Sequence, residues 1–137
     1  ATIAATRSTD GLLDASEIAT LELRADLVVL SACNTASDGS GKLGGETLSG
    51  LAEAFFYAGA RSLLVSHWQV PSAATARLMI DVFKAVGADP DLSIDKALVQ
   101  AQLKAIANPA SAHPFFWAAF VLIGDGAAPP LNERAAT

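Results

Sequence analysis

Two short aliphatic runs constrain this chain more than any other feature. ADLVVLSA (25–32) and RSLLVS (61–66) lack the alternation of a strand with one wet face. Each therefore reads as a buried strand, covered on both faces. Between them Leu48, Leu51, Ala52, Phe55 and Phe56 repeat at helical spacing, and Gly59 stands where a C-terminal cap belongs. A strand–helix–strand unit predicts parallel neighbouring strands joined by a right-handed crossover. The carboxyl ends of those strands, Cys33-Asn34 and Ser66-His67-Trp68, then lie side by side. That edge is where open α/β sheets bind their ligands.

The remaining elements extend the pattern. Asp14-Ala15-Ser16-Glu17 fits a capping box and predicts a short helix over 15–22. Ser72 is placed to cap a helix in which Ala76, Met79, Ile80 and Phe83 recur, with Gly87 closing it. Ile94, Ala97, Leu98, Ala101 and Ala105 mark a third core helix that stops before Asn108-Pro109. FFWAAFVLI (115–123) reads as a last strand, ended by Gly124-Asp125-Gly126, and the tail from Ala127 looks loose. Strand, helix, strand, helix, helix, strand is an α/β order, expected to give a mainly parallel sheet flanked by helices.

Composition bounds the function classes. At 137 residues, 52% hydrophobic and 17% charged, the chain is one folded domain rather than a disordered segment. A net charge of −5 argues against a nucleic-acid partner. A single cysteine cannot form an internal disulfide, which favours a reducing, cytoplasmic setting. No apolar run reaches the roughly 18 residues of a membrane span, and ATIAATRSTDG has none of the regions of a signal peptide. With no initiator methionine, the chain reads as a piece of something larger.

Cys33 carries two readings. Free cysteines are mostly buried and inert. A thiol at the carboxyl edge of a central strand is instead where a nucleophile stands, provided a base or a positive field holds it as thiolate. Its own amide at the strand-to-loop turn can serve as an oxyanion donor. Of the two histidines, His113 precedes Pro114 and reads as structural, whereas His67 ends the strand beside that of Cys33. A pocket or packing role suits His67 best, with service as a substitute base the remaining option. Trp68 divides evenly between pocket wall and edge of the core, and Lys42 and Glu46 read as solvated. The glycine loop does not make a phosphate cradle: Gly41-Lys42 is followed by Leu43, and Ala36 stands where the first glycine is needed. No cofactor or metal is expected.

Three stretches in order, ADLVVLSACNT, ETLSGLAEAFFYAGARSLLVSHW and HPFFWAAFVLIG, resemble the CHAT domain. That is a bacterial caspase-like peptidase family related to separase and often joined to tetratricopeptide repeats. The likeness spans about residues 10–125. It implies a caspase-hemoglobinase fold, a polypeptide substrate and Cys33 as the nucleophile of a cysteine endopeptidase. The family's base is a His-Gly at the end of the strand before the cysteine's strand, and residues 1–25 hold no histidine. The chain is therefore expected to be the carboxyl-terminal portion of such a domain, residues 1–137, with 1–10 and 127–137 as loose ends and the base upstream of Ala1. Relatives that cleave after arginine carry an acid shortly after the tryptophan; here Gln69-Val70-Pro71-Ser72-Ala73-Ala74 follows Trp68. Asp38 in the cysteine loop is the alternative source of pocket charge, and Ser66, His67 and Trp68 are the expected pocket wall. The rival reading is an inactive interaction module of the same fold. For the isolated chain, no meaningful peptidase activity and self-association through an exposed sheet edge are expected.

Overall fold

The computed structural model describes residues 14–30 and 45–127. Three strands, β1 (Leu27–Leu30), β2 (Ser62–Ser66) and β3 (Phe120–Gly124), form one sheet in that spatial order. The helices are α1 (Ala15–Ala19), α2 (Gly45–Tyr57), α3 (Ser72–Ala88) and α4 (Ile94–Ala107), with a 3₁₀ turn at Pro114–Phe116. β1 pairs with β2 in parallel, Leu27 opposite Ser62 and Leu30 opposite Val65, as the strand–helix–strand reading requires. β3 runs antiparallel to β2, Ser62 opposite Gly124 and Ser66 opposite Phe120.

The sheet is thus mixed, and the expectation of a mainly parallel one reduces to its first pair. The reason lies in the count of helices between strands. One helix returns the chain to the starting end of the sheet, whereas α3 and α4 together bring it back to the finishing end, so β3 must run the other way.

Alternation along β2 builds two cores. Leu63 and Val65 face a cluster with Ile18, Ala52, Phe55 and Ala58 of the α1–α2 layer. Leu64, between them, faces Leu78, Val82, Ala97, Leu98 and Ala101 of the α3–α4 layer. All three are essentially inaccessible, and burial of each is worth about 1.5–3 kcal/mol. The continuous aliphatic run is the signature of that central, doubly covered position.

Local signals explain most boundaries. Asp14 caps α1: its carboxylate accepts the Glu17 N–H at 2.8 Å, and Glu17 Oε2 accepts the Asp14 N–H at 3.2 Å. The Ser16 hydroxyl first, and the Glu17 N–H with it, hold the Asp14 carboxyl below its ordinary range. α1 stops at Ala19, with Thr20 as its C-terminal cap, rather than reaching residue 22. Gly59 takes φ +104° and a side chain there would run into the Leu23 carbonyl oxygen, so only glycine closes α2 against the incoming chain.

Three readings are corrected. Ser72 is the first residue of α3 and Pro71 occupies the cap position without a side-chain bond. The buried face of α3 is Leu78 and Val82 with Met79 beside them, while Ile80 and Phe83 stay 52% and 54% exposed. Apolar residues surround α3 on nearly every side, so spacing alone could not choose the face; packing against α4 and the sheet did. The expected strand over 115–123 begins only at Phe120, because Pro114 locks φ and starts a 3₁₀ turn instead.

Candidate active site

The register fixes where the candidate residues meet. Because Leu30 lies opposite Val65 in a parallel pair, β1 and β2 finish at the same edge of the sheet. Cys33 and Asp38 lie outside the described residues. Ser66, His67 and Trp68 form the carboxyl end of β2, as expected.

Ser66 is half-buried and pairs with Phe120. His67 is exposed, and its backbone N–H donates to the Ala119 carbonyl at 2.9 Å, prolonging the ladder by one bond past the strand. Trp68 is 40% exposed, and its indole N–H donates to the Phe115 carbonyl at 2.9 Å. Val70, two residues on, is buried in the α3–α4 core and pins the turn that follows.

The partner of Trp68 belongs to a small, tightly bonded ledge. His113 Nδ1 accepts the Phe115 N–H at 3.1 Å and caps the 3₁₀ turn, which is the structural role expected of it. The Phe115 and Phe116 rings meet edge to face with centroids 5.5 Å apart. Trp117 donates from its indole to the Ala112 carbonyl at 3.1 Å. Gln102 of α4 donates to the carbonyls of Trp117 and Phe120, both at 3.2 Å. Among the described residues the edge after β2 is therefore an aromatic wall, with no carboxylate from Ser66 to Ala74.

Sequence reasoning missed this ledge because it read 115–119 as strand. The signal was present: a histidine followed by proline at the first helical position is a turn start. It also gave no structural role to Arg61, which acts at the opposite end of the sheet. There its guanidinium meets Asp26 at 3.2 Å and Asp125 at 3.0 Å. Asp125 foremost, and Asp26 after it, raise the arginine above its ordinary range. Ser62, fully buried, donates its hydroxyl to the Asp26 carbonyl at 2.5 Å.

Among the described residues no cluster of three or more histidines, cysteines or acids forms a metal site, and no helix is long and apolar enough to cross a membrane.

The family model "CHAT domain" matches residues 2–125. The chain is 33% identical over 115 residues to mouse Tetratricopeptide repeat protein 28 and 34% identical over 113 residues to the human protein of that name. Each alignment covers 82% of this chain but 4% of the relative, so the chain spans a small part of those proteins. Both relatives are mammalian, and the likeness is therefore not confined to bacteria. No solved structure matches. With a parallel β1–β2 pair whose second strand runs into Ser-His-Trp, and with a family match over nearly its whole length, the chain belongs to the CHAT domain family.

Proposed function

We propose that the protein carrying this chain is a cysteine endopeptidase of caspase-like type, with Cys33 as nucleophile. The observation that supports it is the parallel register of Leu30 with Val65: β1, which ends three residues before Cys33 in the sequence, finishes at the edge that carries Ser66, His67 and Trp68. In this reading the Cys33 thiolate attacks the peptide carbonyl and the amide of Cys33 steadies the oxyanion. The C–N bond then breaks as the amine leaves with a proton, and water hydrolyses the thioester. The resemblance gives the proton-handling role to a His-Gly that this sequence does not contain, so the base comes from elsewhere in the protein. Trp68 and the Phe115 ledge make the wall against which the substrate lies, and Asp38 supplies charge to the pocket.

The test is cleavage of a peptide library by the full-length protein and by its Cys33→Ala form. Activity confined to the unmutated protein supports the assignment, and equal cleavage by both ends it.

A second reading is an interaction module of the same fold that associates with tetratricopeptide repeats. It draws on the repeat-bearing names of the two relatives and on the apolar outer faces of α3 and α4, where Ile80, Phe83, Val99 and Leu103 stay exposed. Retention of repeat binding by a Cys33→Ala protein that has no cleavage activity to lose is the outcome that favours it.

A further inference from the structure

An open groove of about 480 Å³ runs between the first half of α3 and the second half of α4 and reaches the 108–116 turn. Its size lies in the range of built ligand sites. Ala74, Leu78, Ala101, Ala105 and Phe116 give it an apolar lining. Alanine at the facing helical positions is what keeps it open, since longer side chains there would fill it.

Charge in the groove is unbalanced. Asp81 is taken by Lys104, with Nζ 2.7 Å from Oδ1. Arg77, one turn earlier on α3, is exposed and no acidic side chain pairs with it among the described residues. In a chain of net charge −5, the groove thus keeps a free guanidinium beside an apolar floor. That combination is complementary to one apolar side chain followed closely by a carboxylate.

Position says which occupant. Pro71, three residues past Trp68, lines the groove, and so does Phe116, next to the residue whose carbonyl the Trp68 indole holds. These two lining residues stand next in sequence to the Trp68 turn and to Phe115, so a polypeptide extended along that edge, at about 3.3 Å per residue, can run on into the groove. We propose that the α3–α4 groove is a docking site for a polypeptide segment of another protein that carries a large apolar side chain next to a glutamate or aspartate. The apolar side chain lies on Leu78 and Phe116, and the carboxylate meets Arg77. The site holds such a segment whether or not Cys33 cleaves it.

The experiment is calorimetric titration of the full-length protein that carries this chain with the capped pentapeptide Ala-Leu-Phe-Glu-Ala and with its twin bearing glutamine for glutamate. The expected result is about tenfold tighter binding of the glutamate peptide, weakened by added salt. Arg77→Gln should remove the difference between the peptides, and Ala107→Trp, at another exposed lining position, should weaken both. Thermal melts of the two variants check that each remains folded. Equal affinity for the two peptides, binding of neither, or a preference that survives Arg77→Gln overturns the proposal. So does a dimer in sedimentation velocity that Arg77→Gln dissolves, which gives the groove to a second copy of the chain. Binding of decanoate that depends on Arg77, without binding of the peptide, overturns it in favour of a small amphiphile.

Discussion

Where β1 and β2 begin, three segments are tied by charge and close backbone contact: Arg61 bridges Asp26 and Asp125, and the Arg61 N–H donates to the Ala25 carbonyl at 3.0 Å. Where the same strands finish, Ser66, His67 and Trp68 give way to an aromatic ledge held by uncharged hydrogen bonds and partly open to solvent. One end has glycines at φ above +100°, Gly59 and Gly124, pressed against neighbouring backbone; a Cβ on Gly124 would stand 2.5 Å from the Arg61 oxygen. The other carries exposed His67 and Trp68. The comparison teaches that this fold puts its closest fastening away from the edge we propose for recognition, the edge where open α/β sheets bind their ligands.

The contrast can be broken most easily at Gly59. Gly59→Ala adds a side chain at positive φ against the Leu23 carbonyl, and strain plus overpacking should cost about 2–4 kcal/mol in chemical denaturation. A cost near zero would mean that the fastened end yields readily.

Arg61→Met should lower the melting temperature by less than Gly59→Ala does. Because the ion pairs are partly exposed, the difference between wild type and variant should shrink as salt is added. An undiminished difference in 1 M salt would show that packing of the stem, not charge, matters there.

At the recognition end Trp68→Phe removes one indole bond to a partly exposed carbonyl. We expect under about 1 kcal/mol of lost stability, with faster amide exchange confined to 113–117. A loss as large as that at Gly59 would erase the distinction between the ends.

The smallest effect concerns acid. Ser93 first, and the Lys96 N–H after it, hold the Asp95 carboxyl below its ordinary range, where the Asp95 N–H itself bonds the Gly126 carbonyl at 3.2 Å. A depressed carboxyl adds stability above its unfolded value and loses it as pH falls through the folded one. Amides of the first turn of α4 should therefore lose protection, measured against the intrinsic exchange rate at each pH, below about pH 4, as should those of α1 through Asp14. Unchanged protection down to pH 2 would contradict this.

How much of this was legible in the residues follows from what each signal depends on. The parallel β1–β2 pair, the Asp14 capping box and the Gly59 cap rest on local chemistry or on continuous aliphatic runs, and they stand. The buried face of α3 and the start of β3 depend on what packs nearby. Ile80 and Leu78 look equally fit for a core until α4 is in place, and Phe115 looks like strand until Pro114 is weighed. Of the candidate site, the position of Ser66, His67 and Trp68 at the finish of β2 was legible, because it follows from where the aliphatic run stops. Cys33 and Asp38 fall outside the described residues; the Phe115 ledge was missed because 115–119 read as strand, and its bond to Trp68, 47 residues away, is the one part no local signal carries.

One arrangement carries an optical consequence. The chain has two tryptophans, and both sit at the recognition end: Trp68 with its indole on Phe115, Trp117 with its indole on Ala112. Tryptophan emission from these 137 residues therefore originates beside the wall and the groove. Anything that settles there should shift its colour or dim it without a dye, while events around Arg61 remain dark.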